Sequence, residues 1–248
     1  MAPVPPSGLS RVRCGGSTEL DALLADLGPR IRRGERVREP LPRCATGLAE
    51  IDRLLGGGFP RGRLSEVTGA PSSGRTSLVL ALLATLTSSG ECAGVVDWAD
   101  AFDPPSARSA GVDLRRVLWV RSRQWRDALG CVERLLATEG FPLVVFDLAS
   151  AANEAGARLD SEGERSSTNW LRLARQAAAT RSALVVVSSE RLTGAHAELA
   201  LEMRPTGARF TGTPVLLEEL ETEAVLVRHR SAPEGRVARV HLAARSAA

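Results

Sequence analysis

Gly69-Ala70-Pro71-Ser72-Ser73-Gly74-Arg75-Thr76-Ser77 decides the fold. It follows Leu64–Thr68, which reads as a buried strand, and it opens Arg75–Ser88, which reads as a helix. A phosphate-binding loop reads GxxxxGK[ST] in this strand–loop–helix context. Glycines there let backbone N–H groups turn toward phosphate, the helix N-terminus adds its dipole, and the hydroxyl serves Mg²⁺. Every part is present except the lysine, whose place Arg75 takes. The candidate nucleotide contacts in this stretch are Gly69, Ser72, Ser73, Gly74, Arg75, Thr76 and Ser77. An ammonium is a compact point charge, whereas a guanidinium is planar and longer, so the exchange is expected to impair hydrolysis.

Arg75 is one case of a wider pattern. All 32 Lys+Arg residues among the 248 are arginine, and tyrosine is absent as well. Mechanisms that need a lysine nucleophile, a Schiff base or a lysine phosphate clamp are thereby excluded. A general arginine bias accounts for the set, so Arg75 alone says little about lost chemistry. The 44% hydrophobic and 25% charged residues are ordinary for a globular protein, and the 4% aromatic content leaves the core to Leu, Val and Ala. A net charge of +3 neither demands nor forbids nucleic acid. Cys14, Cys44, Cys92 and Cys131 form no CxxC pair and the three histidines are scattered, so no metal site is expected. Reduced thiols in the cytoplasm are the matching expectation. Residues 1–13 carry prolines and no apolar stretch of the signal-peptide kind, and no run approaches 18 apolar residues.

Outward from the loop, the chain falls into three parts: a Pro/Gly/Ser-rich tail over 1–16, an N-terminal helix and basic linker over 17–43, and a core domain over 44–248. Ser17 reads as a helix N-cap, followed by Leu20, Leu23, Leu24 and Leu27 at helical spacing. This leucine stripe either packs on its own domain or docks on another subunit, and it is the candidate partner-binding surface. From Leu41 onward strands and helices alternate. Strands are expected at Leu64–Thr68, Ala93–Asp97, Val117–Val120, Leu143–Leu148 and Ala183–Ser188, with helices at Arg75–Ser88, Trp125–Thr138 and Asn169–Thr180. Continuous apolar runs separated by helices predict an α/β fold, a mostly parallel twisted sheet with helices on both faces. Val215–Leu220, Ala224–Arg230 and Arg236–Leu242 read as consecutive strands joined by short turns, an antiparallel C-terminal extension of that sheet.

Two stretches carry a family resemblance. Thr46-Gly-Leu48-Ala-Glu-Ile-Asp52-Arg-Leu-Leu-Gly56-Gly-Gly58-Phe-Pro60-Arg-Gly62-Arg-Leu-Ser-Glu66-Val-Thr-Gly69 resembles the opening of the RecA recombinase core. So does Val96-Asp97-Trp98-Ala99-Asp100-Ala101-Phe102-Asp103-Pro104, continued by Ala107-Arg108 and Gly111-Val112-Asp113. The resemblance implies a RecA-type P-loop ATPase core, with Asp103 beside the nucleotide and Asp147 as the Walker B aspartate.

This sequence departs from the pattern at functional positions. The family's catalytic glutamate would fall at Ala99, its adenine-stacking tyrosine at Ser106, and its γ-phosphate-sensing glutamine near Ser189. Arginine bias explains none of these. The segment Glu190–His196, where the family has a long DNA-gripping loop, is short, and Arg158, Arg165, Arg172 and Arg175 read as a solvated helix face. DNA binding is therefore expected to be weak or absent. Trp98 and Trp125 fall at the C-terminal edge of the sheet, and Trp98 is a candidate to fill the nucleotide's place.

Together the altered positions resemble the ImuA family of RecA-like accessory proteins of bacterial mutagenic translesion synthesis. That resemblance implies a non-catalytic regulator induced by DNA damage, with no required cofactor and at most residual ATP and Mg²⁺ binding. The implied partners are RecA, an ImuB-like Y-family polymerase homologue and an error-prone replicative-type polymerase. Two other classes stand beside it: a weakly active RecA-family DNA-dependent ATPase, and another P-loop-derived partner protein.

Overall fold

Two units divide the chain, Met1–Pro40 and Leu41–Ala248. The computed structural model describes residues 41–98, 100–122, 124–148, 166–212, 215–230 and 233–243. Strand β1 (Arg43–Cys44) starts inside the stretch that reads as basic linker, and it pairs antiparallel with β2 (Phe59–Pro60). Helix α1 (Ala49–Leu55) lies between them and buries Ile51, Leu54 and Leu55. Its entry is fixed by Asp52, whose carboxylate accepts from Thr46 N at 2.8 Å, Thr46 Oγ1 at 2.9 Å and Gly47 N at 3.1 Å. Gly47 sits at φ 76° with its Cα against Thr85, where any Cβ would stand 2.5 Å from the hydroxyl. The Thr46-Gly47 pair thus seats α1 on the helix that follows the phosphate loop.

The remaining elements are β3 (Leu64–Gly69), α2 (Arg75–Ser88), β4 (Ala93–Asp97), α3 (Pro104–Ser109), β5 (Val117–Arg121), α4 (Trp125–Ala137), β6 (Leu143–Asp147), α5 (Ser167–Thr180), β7 (Ala183–Ser188), β8 (Leu199–Thr211), β9 (Leu216–His229) and β10 (Arg236–Ala243). Eight strands form one sheet in the order β10-β9-β8-β3-β7-β6-β4-β5. Every pairing from β8 through β5 is parallel, and β8–β9 and β9–β10 are antiparallel. The α/β sheet with an antiparallel C-terminal extension is the fold that the sequence predicts.

Side chains alternate faces along a strand, and the two cores follow that alternation. Leu143 and Val145 of β6 join Leu78, Leu82 and Ile51 on the α1/α2 face, while Val144 and Phe146 join Val132, Leu136 and Trp170 on the α4/α5 face. Both faces are covered, so β3, β4 and β7 are buried along their whole length.

The C-terminal strands differ from their expected limits. Leu199–Thr211 is a strand the sequence pattern did not mark, and the strands expected at Val215–Leu220 and Ala224–Arg230 merge into one, β9, which excludes Val215 and Arg230. Glu221-Thr222-Glu223 reads as a turn but continues the ladder, because Thr222 points inward and is 1% exposed. Among the described residues, no helix is long and apolar enough to cross a membrane.

Candidate nucleotide-binding site

The phosphate loop leaves β3 at Gly69 and enters α2 at Arg75, as its sequence requires. Ser72 at φ 59° and Gly74 at φ 89° take left-handed backbone conformations that turn the chain tightly. Ser73 N donates to Ala70 O at 3.2 Å, which closes the loop on itself. The antiparallel extension packs directly on it. Thr222 Oγ1 lies 2.8 Å from Ser73 O and 2.9 Å from Arg204 O, so its single hydrogen ties β8, β9 and the loop together. A Cβ at Gly74 would stand 2.5 Å from Leu242 Cδ1 of β10.

Arg75 turns inward rather than over the loop. Its side chain is buried, and Nη1 donates to the backbone carbonyl of Ser188, the last residue of β7, at 2.5 Å. Burial pulls the guanidinium pKa below its ordinary value, and the charge of Asp147 opposes that shift. Asp147 ends β6 in register with Asp97 of β4 and Val187 of β7. It therefore stands at a strand end where its charge acts on Arg75.

Thr76 and Ser77 present their side chains to solvent. They line a cleft of about 780 Å³, bounded by Ser106, Ala110 and Gly111 on one side and by His241, Leu242 and Ala243 on another. That volume is within the range of small-molecule sites. Ser106 is exposed and offers no aromatic ring to a base. Asp103 caps α3, accepting from Ser106 N at 2.9 Å, and its Ser106 contacts hold its carboxyl below the ordinary range. Gly69, Ser72, Ser73, Gly74, Arg75, Thr76, Ser77 and Asp147 thus gather around the loop, while Asp103 is engaged at the head of α3.

Other positions singled out in the sequence fare differently. Ala99, Arg158, Arg165, Leu20, Leu23, Leu24 and Leu27 lie outside the described residues. Asp100, at φ 52°, meets Arg121 of β5 at 3.4 Å. Ser189 is exposed just past the carbonyl that holds Arg75. Arg172 pairs with Glu133 on the surface. Trp98 does not fill the nucleotide's place. Its ring stands edge-on to Trp125, 6.3 Å between centroids, and belongs to the α4/α5 core, because the side chain after Asp97 falls on the opposite face of the sheet.

Two buried carboxylates carry the local architecture without having been marked as functional. Asp97 accepts from Ala101 N at 2.9 Å, Phe102 N at 3.0 Å and Trp119 Nε1 at 3.1 Å, which shapes the chain between β4 and α3. Glu66, fully buried on β3, accepts from Leu192 N at 2.6 Å, Thr193 N at 3.0 Å and Thr193 Oγ1 at 2.8 Å. A charged residue inside a strand that reads as buried is the available signal for Glu66. Among the described residues, Glu219, Glu221 and His241 gather donor atoms within 4.8 Å of one another. Glu219 is already paired with Arg209 at 2.8 Å and lies 3.3 Å from His241.

Comparison with known proteins agrees with this geometry. The RecA N-terminal domain family matches residues 27–191. Protein RecA of Prochlorococcus marinus (strain AS9601) is 36% identical over 137 residues, 55% of this chain and 37% of that protein. Protein RecA of Streptomyces coelicolor is 36% identical over 152 residues, 58% of this chain and 40% of that protein. The matches therefore span well under half the length of these curated relatives. A crystal structure of the RadB recombinase superposes with a TM-score of 0.60, covering 79% of this chain and 94% of that one at 24% identity.

Proposed function

Because this chain belongs to the RecA family through residues 27–191, we propose that it acts in DNA repair as a regulatory RecA paralogue that does not turn over ATP. It supports error-prone translesion synthesis in the cytoplasm as a protein of the ImuA type. Its partners are RecA, whose filament it inhibits, an ImuB-like Y-family polymerase homologue, and an error-prone replicative-type polymerase. One observation carries the reading: the guanidinium in the P-loop lysine position is spent on the Ser188 carbonyl inside the protein. Ser106, in place of a stacking ring, and Ala99, in place of a catalytic glutamate, weaken nucleotide chemistry in the same direction.

The leucine stripe Leu20, Leu23, Leu24 and Leu27 supplies the docking surface for RecA. Calorimetry with MgATP and a phosphate-release assay with single-stranded DNA test the first half of the proposal. Steady turnover overturns it. A pull-down from DNA-damaged cells tests the second half: RecA and a Y-family polymerase are expected with the wild type. Leu23→Glu with Leu27→Glu is expected to lose RecA while the protein stays folded.

A second reading has its own support in the open cleft, where the Thr76 and Ser77 hydroxyls stand free to meet a nucleotide. On that reading the chain is a weakly active RecA-family DNA-dependent ATPase. DNA-stimulated phosphate release in the same assay decides for it.

A further inference from the structure

Two side chains, one on β3 and one on the helix that follows the phosphate loop, grip the end of β7 and the backbone beyond it. Arg75, the first residue of α2, holds the Ser188 carbonyl at 2.5 Å. Glu66, on the strand that leads into the loop, holds the amides of Leu192 and Thr193 and the Thr193 hydroxyl. Between these anchors the Ser188 hydroxyl donates to Glu190 O at 2.7 Å. Ser189, Glu190 and Arg191 are left on the surface of a stretch fastened at both ends. Both anchors are charge-assisted and buried, the stronger kind of hydrogen bond.

A polyphosphate that drew Arg75 toward the loop would break its bond to the Ser188 carbonyl. Losing this buried, charge-assisted hydrogen bond opposes that movement. We propose that Arg75 is a positioning residue that clamps Ser189–Thr193 in one arrangement, so that the surface this segment offers to a partner does not depend on nucleotide. The inference deepens the regulatory reading and rests on it in one respect, that nucleotide turnover does not drive the segment.

Hydrogen exchange on the full chain, followed in peptides spanning residues 186–196, tests the clamp with millimolar MgATP and with inorganic pyrophosphate as probes. The wild-type amides of 189–193 are expected to exchange at the same rate with and without either probe. Arg75→Met keeps the apolar stem and removes the donor, and it is expected to speed exchange at 189–193 about tenfold or more, with peptides of β6 unchanged. A change in wild-type exchange at these amides on adding either probe overturns the proposal, and so does an unchanged rate in Arg75→Met. Should Arg75→Met loosen the β6 peptides as well, Arg75→Lys takes its place with the same expectation, and the wild-type comparison needs no variant. Phosphate release is measured on the same samples. Turnover with probe-independent exchange refutes the regulatory reading and leaves the clamp, whereas probe-dependent exchange without turnover refutes the clamp alone.

Discussion

The parallel half of the sheet and the outer part of the β8–β9 ladder bury their side chains to opposite degrees. In β3, β4 and β7 every residue is buried, because helices cover both faces. In β8 and β9 only the base is. Leu199, Leu201 and Met203 share a core with Ala224 and Leu226 inside the molecule, and beyond them the ladder runs out with Phe210 58%, Leu216 58% and Leu217 42% exposed. Burial on both sides therefore accounts for the stability of the first region, and backbone pairing with surface ion pairs of Arg209 to Glu218 and Glu219 holds the far end of the second. The contrast also separates two uses of one sheet: its middle fixes the phosphate loop, while its far end is free to vary.

Substitutions ranked by expected effect can break this contrast or sharpen it. Trp170→Ala empties the largest fully buried site on the α4/α5 face and is expected to cost about 3–5 kcal/mol in a denaturant titration. A loss comparable to that of a surface change would mean that the parallel half is not the stabilising region. Glu66→Gln removes the charge that receives the Leu192 and Thr193 donors, with an expected loss of about 2–3 kcal/mol by the same measurement.

Gly74→Ala places a Cβ against Leu242 at a residue with φ 89°, and a loss of about 1–3 kcal/mol is expected in thermal unfolding. It probes the seam where the two regions meet. The double change Phe210→Ser with Leu216→Ser, at the far end of the ladder, is expected to stay within about 0.5 kcal/mol of wild type. A loss of several kcal/mol there would show that the exposed end supports the core and would erase the distinction.

The same contrast governs what the sequence reveals. Val144, Val145 and Phe146, or Leu184 through Val187, are legible as strands because a two-sided core demands an unbroken apolar run. β8 is not, because Arg204, Pro205, Gly207 and Arg209 answer to solvent rather than to a core, and irregularities interrupt its register at Pro205/Gly207 and Arg209/Phe210. β9 is split in the reading by Glu221 and Glu223, although Thr222 between them faces inward to Ser73.

The candidate site divides likewise. The loop and the strand-end position of Asp147 are local patterns, legible from spacing. The inward turn of Arg75, the grip of Glu66 and the seating of Leu242 on Gly74 join residues more than 100 positions apart, which no local pattern contains.

The tryptophan arrangement has an optical consequence. With tyrosine absent, near-ultraviolet fluorescence arises almost wholly from four indoles. Three of them form one group, with Trp125 standing 6.3 Å from Trp98 and 6.1 Å from Trp170 between ring centroids. That group sits on the α4/α5 face, away from the phosphate loop, while Trp119 on β5 donates to Asp97. Three of the four indoles thus read out the far face of the sheet without any added label, and Trp119 reports the face that carries the loop. A ligand entering the cleft at Thr76 and Ser77 touches no indole directly, so any emission change it produces reports a change relayed through the sheet.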